Sequence, residues 1–318
     1  MPNAYLYDSN TEALRPLDWA PSRALRWATW RRDGALMLAV GNGGLVQTWD
    51  GSELGVLEGG TKQNLRGAAW SPDGSTALLV GNRGAVLKVE GETVRELPTV
   101  TSENLRRVAW HPGGTWALIV GNAGAVLRFD LARDVVEPLA ADRAHTLRSV
   151  AFRPDGAYAL VGAYASRWAG YPRPHSLYRC DGRYLQALLA SDEEDDFVSI
   201  DYARDGAALV CGYAWQGGGR VVNKALLYDG SAWGTRVWAE GTGATEKPTR
   251  VVLGGAWQPG EGQALLVGEG GLALVLRRDG GIEELDSETT DNLVGPFWKP
   301  DGSAALILKG PGERVYTV

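Results

Sequence analysis

Along the whole chain, short apolar runs of four to six residues alternate with clusters of turn formers, and one unit recurs from end to end. Runs of this length suit strands and are too short for helices. Each unit opens with an apolar run closing on an aromatic residue. A Pro-Asp-Gly-like turn, a second apolar run ending in glycine, a glycine-rich turn and two further runs follow. The anchoring aromatics are Trp30, Trp70, Trp110, Phe152, Tyr202, Trp257 and Trp298, separated by 40, 40, 42, 50, 55 and 41 residues. A period of this size built from strands alone predicts propeller blades.

The second repeat shows the unit most plainly. LRGAAW (65–70) is the first strand, Ser71-Pro72-Asp73-Gly74 a turn, TALLVG (76–81) the second strand, Asn82-Arg83-Gly84 another turn, and AVLKVE (85–90) and TVRELP (93–98) the remaining strands. From the last strand of one repeat to the first of the next the spacing is eight residues, as in Leu17 to Leu25, Leu57 to Leu65 and Leu97 to Leu105; the approach to the sixth repeat breaks this rule. Residues 13–17 read as a last strand with no repeat before them. They are therefore expected to complete the final repeat, leaving no open sheet edge. Residues 5–8 (YLYD) resemble LLYD at 226–229 and compete with 314–317 for the third strand of that repeat. The expected fold is all-β: a seven-bladed β-propeller of four-stranded antiparallel blades in one domain over 1–318. Its blades run approximately over 25–58, 65–98, 105–140, 147–190, 197–240, 250–286 and 293–318 plus 4–17.

Composition agrees and removes alternatives. With 43 Gly, 15 Pro and 13 Trp, 44% hydrophobic and 22% charged residues, the chain is a folded protein rich in tight turns, which excludes disorder, collagen and coiled coil. Thirty-two basic against 38 acidic residues give a formal charge of −6, which argues against a nucleic-acid partner held through phosphates. The start MPNAYLYDSN lacks a basic and an apolar signal region, and no run of 18 apolar residues occurs, so the expected setting is cytoplasmic with no membrane contact. Cys180 and Cys211 lie in apolar runs without metal-ligand spacing and read as buried free thiols.

WSPDG (70–74), FRPDG (152–156) and the pair Trp49-Asp50 resemble WD40 repeats, over nearly the whole chain. The Gly-His pair that precedes the first strand in that family is missing and Trp-Asp occurs in one repeat, so the family's Asp-His-Ser/Thr-Trp network is not carried over. The turns Gly41-Asn42, Gly81-Asn82 and Gly121-Asn122 are similar to those of bacterial photosystem-assembly-type propellers. Their asparagines read as left-handed turn residues. The resemblance implies a scaffold that binds a partner protein or peptide.

Candidate chemistry collects where the repeats depart from the pattern. The second-to-third-strand connections are enlarged in the fourth repeat (164–175, with Arg167, Trp168, Tyr171 and His175) and in the fifth (213–220, with Tyr213, Trp215 and Arg220). Aromatic and arginine residues on adjacent long loops are what a binding hot spot favours. Between them runs the acidic stretch Asp192-Glu193-Glu194-Asp195-Asp196, expected as an exposed patch, a solvated charge run. Arg26, Arg66, Arg106 and Arg148 stand four residues before their aromatic anchors, where the other repeats carry Val198, Leu253 and Val294. Around a channel mouth they would set cations against the acids of the fifth repeat, a polarised face. His111 is expected in an exposed turn and His145 in a connection, which leaves His175 as the histidine of the long loops; no hydrolase, zincin or thiol motif occurs. No catalytic residue, metal or cofactor is therefore expected. The sequence points to a monomeric, non-enzymatic interaction protein binding over repeats four and five; the alternative is a small charged ligand or glycan at the channel mouth.

Overall fold

A computed structural model describes residues 3–139, 145–164, 175–190, 194–216, 220–229, 231–238 and 250–310, positions 175, 189, 190, 194, 216 and 220 by their backbone. The described residues form strands, with single 3-10 turns such as Asn82–Gly84 between second and third strands. In the second repeat Leu65–Trp70, Ala77–Gly81, Val86–Glu90 and Thr93–Glu96 pair antiparallel in chain order. Burial explains the sequence pattern. The second strand is buried throughout because neighbouring sheets cover both its faces, so it is continuously apolar, whereas the outermost strand is mostly exposed and mixed. The fourth and fifth repeats join into one eight-stranded sheet through the single pair Tyr164↔Asp196.

The last sheet is completed from the far end of the chain. Leu293–Trp298 pairs with Ala304–Lys309, which pairs with Ala4–Asp8, which pairs with Ala13–Leu17. The N-terminal segment thus contributes two strands, the expected last one and one of the two candidates for the third. Ala4–Asp8 takes the third place, with Tyr5 opposite Ile307 and Tyr7 opposite Ala305, and the competing 314–317 lie outside the described residues. The Tyr5 hydroxyl donates to Asp291 Oδ2 at 2.8 Å, fastening the join.

Adjacent sheets are linked by the anchoring aromatics. Trp110 Nε1 donates to Ala69 O at 3.0 Å and Trp298 Nε1 to Ala256 O at 3.4 Å, each reaching the innermost strand of the preceding repeat. Across the closure Trp30 Nε1 donates to Phe297 O at 3.1 Å and Trp27 meets the Phe297 ring edge-on at 4.8 Å, so the last sheet packs on the first and the ring is closed. His111 is half-buried rather than exposed: it stacks on Trp116 at 5.1 Å and its Nε2 lies 3.2 Å from Gly156 O in the next repeat. Cys180 and Cys211 are buried free thiols.

Candidate binding site at the channel mouth

In each repeat the innermost strand shifts register near its start. The shift falls between Leu25 and Trp27, Leu65 and Gly67, Leu105 and Arg107, and Leu147 and Ser149, which makes Arg26, Arg66, Arg106 and Arg148 the unpaired residue of a bulge. A bulge turns its extra side chain out of the sheet's alternation. These four arginines accordingly line one cavity of about 230 Å³ with their counterparts Val198, Leu253 and Val294 opposite. The structure therefore brings the sequence quartet together.

Three of the four are held alike. Arg26 Nε donates to Asn42 Oδ1, Arg66 Nε to Asn82 Oδ1, and Arg106 Nε to Asn122 Oδ1 at 2.8 Å. These are the Gly-Asn turns, and their expected role changes: the left-handed residue is the next one, Gly43, Arg83 or Ala123, while the asparagine serves as the arginine's acceptor. The Asn backbone is fixed too, Asn82 N donating to Asn64 O and Asn122 N to Asn104 O, both at 2.9 Å. A second set of asparagines ties one repeat to the next, Asn64 Oδ1 accepting from Gly43 N at 2.8 Å, Asn104 from Arg83 N at 3.1 Å and Asn292 from Gly270 N at 3.1 Å. Sequence reasoning missed them. The signal was Asn directly before the leucine that opens an innermost strand, at 64, 104 and 292.

Arg148 is held differently. Its Nε and Nη2 meet Asp196 Oδ1 and Oδ2 at 2.9 and 2.5 Å, and the Tyr213 hydroxyl donates to the same carboxylate at 2.7 Å. Burial works against the Arg148 charge, but Asp196 outweighs it and the guanidinium is held above its ordinary pKa. Asp195 is likewise buried and receives Lys224 Nζ at 3.0 Å. The expected exposed acidic patch is corrected for two of its five residues, Asp192 and Glu193 lying outside the described residues: Asp195 and Asp196 lie within the strand Glu194–Tyr202 and are consumed by ion pairs, because the hairpin Ala208–Gln216/Arg220–Tyr228 and the fourth repeat bring cations onto them. The polarised face goes with it. Asp196 neutralises Arg148 instead of standing opposite the arginines.

Arg107, absent from the candidate residues, also lines the cavity. Its Nη1 donates to Arg66 O at 2.6 Å and Arg106 O at 2.8 Å, and its guanidinium lies over Trp27 at 3.7 Å. The mouth is under-compensated. Burial, then Arg148 and Arg66, push Arg106 down to about 9; burial, then Arg106 and Arg148, do the same to Arg107; burial also lowers Arg26 and Arg66. A guanidinium keeps its proton at neutral pH, so this cost marks a demand for negative charge.

The remaining candidates divide. Tyr213 is buried at the mouth, and Trp215 is half-buried two residues on. Residues 213–216 and Arg220 belong to strands rather than to a loop, Gln216 pairing with Arg220, and His175 opens the strand His175–Cys180 opposite Ala190. Arg167, Trp168 and Tyr171 lie outside the described residues. Among the described residues no three His, Cys, Asp or Glu side chains are grouped to hold a metal, and no helix is long and apolar enough to cross a membrane.

Towards the other end of the innermost strands a second cavity, of about 640 Å³, is lined by Thr29, Ala68, Asp201 and Trp257 among others. Asp201 Oδ2 accepts from Trp257 N at 2.8 Å, and burial, only partly offset by backbone donors, pushes its carboxyl up to about 6.

Antiparallel four-stranded meanders closed on themselves around an axial cavity, the last completed by N-terminal strands, define a β-propeller fold. Among solved structures the chain is similar to the β-propeller domain of Cps50 (Swd1) from Myceliophteria thermophila, at 14% identity and a TM-score of 0.67, over 92% of this chain and 99% of that one. No protein-family model matches the chain, and no curated protein does.

Proposed function

We propose that this is a seven-bladed, non-enzymatic interaction propeller that docks a partner protein on the face bearing the arginine mouth, over repeats four and five. One observation carries this reading. Nε of Arg26, Arg66 and Arg106 is engaged by asparagine, while their Nη groups make no hydrogen bond to the described residues and line an open cavity. Tyr164, which precedes the enlarged connection of the fourth repeat, and Tyr213, in the second strand of the fifth, flank Arg148, Tyr164 with its ring 6.0 Å from the guanidinium. A local positive mouth on a chain of net charge −6 favours an acidic segment by complementarity rather than by bulk attraction.

The test is affinity capture from a lysate of the native host with wild type, Trp168→Ala, Trp215→Ala and the pair Arg66→Gln/Arg106→Gln, each checked for unchanged thermal stability. A partner retained by wild type and lost from the variants supports the reading. Equal capture by all four overturns it. A second reading, a small charged ligand seated in the mouth, is favoured by the same Nη groups.

A further inference from the structure

We propose that the mouth is a receptor for one phosphoryl group, either free phosphate or phosphate carried on a side chain of the docked partner. The inference rests on the reading of this mouth as the binding surface and names what the mouth recognises.

Charge decides against a simple carboxylate. Arg148 is neutralised by Asp196, which leaves Arg26, Arg66, Arg106 and Arg107 against Glu269 as the one acid lining the cavity among the described residues. A carboxylate brings one negative charge and two oxygens, whereas a phosphoryl dianion brings two charges and three oxygens. Geometry agrees. The three Asn-clamped arginines come from equivalent bulge positions in consecutive repeats and line one small cavity together. With Nε held, each side chain has lost freedom before any ligand arrives, and ordering it adds little to the cost of binding. Arg107, fixed by two carbonyls and Trp27, is a half-buried positive charge at the same cavity. At about 230 Å³ the cavity is below the roughly 300 Å³ where pockets for drug-sized ligands begin, so it suits the phosphoryl group and not a whole nucleotide.

The experiment is calorimetric titration of the full chain at low ionic strength and pH 7.5 with inorganic phosphate, O-phospho-L-serine and acetate, with thermal denaturation in parallel. Phosphate or phosphoserine is expected to bind one per chain, with acetate at least about tenfold weaker. Phosphoserine affinity is expected to fall towards pH 5.5, as the dianion takes up a proton near pH 6. Arg66→Gln and Arg106→Gln should each weaken phosphoryl binding about tenfold or more, with the exposed Arg32→Gln as the unchanged control. Should either glutamine variant fail to fold, Arg26→Lys keeps the charge, loses the fork and should still weaken binding. Preference for phosphoserine over phosphate assigns the group to a partner's side chain, and the reverse assigns it to a free anion. Acetate binding as tightly as phosphate, binding indifferent to the arginine variants, or no binding of either phosphoryl probe overturns the proposal. If the phosphoryl arm fails while capture of a partner still depends on Arg66, the docking reading stands and this one falls. If phosphate binds through Arg66 while capture is indifferent to it, the docking reading alone falls.

Discussion

The ion pair between Arg148 and Asp196 offers the sharpest test of how the mouth is built. Asp196 is 1% exposed and Arg148 18%, the two share two hydrogen bonds, and Arg106 lies close enough for repulsion to be felt. Asp196→Ala leaves the Arg148 cation buried beside other cations, and breaking a buried pair from one side typically costs about 3–5 kcal/mol. The lost bond from Tyr213 adds about 1 kcal/mol. Replacing both partners in Arg148→Met/Asp196→Ala removes the stranded charge, and about half of the loss or more should return. Urea denaturation followed by tryptophan fluorescence and circular dichroism gives these differences, provided the two probes coincide. The cost should barely change between low and moderate salt, since a buried pair is weakly screened. A cost for Asp196→Ala below about 1 kcal/mol, the range of surface pairs, or a double variant no better than the single one, would refute the reasoning.

Other expectations follow from single contacts. Asp201, raised from its ordinary 3.8 to about 6, favours the fold while protonated and costs stability as pH rises through that range, up to about 3 kcal/mol. Asp201→Asn should therefore raise the melting temperature at pH 8 and leave it unchanged near pH 3.5; equal effects at both would show that the carboxyl titrates normally. Trp110→Ala removes a buried indole, its bond to Ala69 and its edge contact with Phe129, and should cost about 3–5 kcal/mol by denaturant titration. Deleting residues 1–17 strips two strands from the last sheet and bares the apolar edge Ala304–Lys309, so the truncated chain should aggregate, as light scattering would report.

The strands and their anchors were legible because burial on both faces leaves a periodic apolar record, and Arg26, Arg66, Arg106 and Arg148 were legible because a bulge occupant recurs at one offset from its aromatic. Other parts of the site were not. Asp195 and Asp196 sit in a run of five acids that reads as solvated, and nothing local announces that Lys224, Tyr213 and Arg148, 29, 17 and 48 residues away, converge on them. Arg107 follows an arginine of the pattern and is set apart only by the direction of the sheet's pleat after the bulge. Asn42, Asn82 and Asn122 sat in turns, where asparagine is common for conformational reasons, and that hid their hydrogen-bonding partners 16 residues back. For the third strand of the last sheet two segments had the same pattern. Pattern alone gives no register, and pairing with Ala304–Lys309 selects Ala4–Asp8.

Closure by the N-terminal strands also sets a timetable for synthesis. Ala4–Asp8 has its partner in Ala304–Lys309, and Tyr5 bonds Asp291 at a separation of 286 residues. At about 5–20 residues per second the strand and its partner leave the ribosome some 15–60 s apart. Throughout that interval an early apolar strand has no sheet to join, and the growing ring has a bare edge at each end. The molecule thus commits to its final topology late, through its most non-local contacts, which makes slow folding and a need for shielding during translation the natural cost of a closed ring.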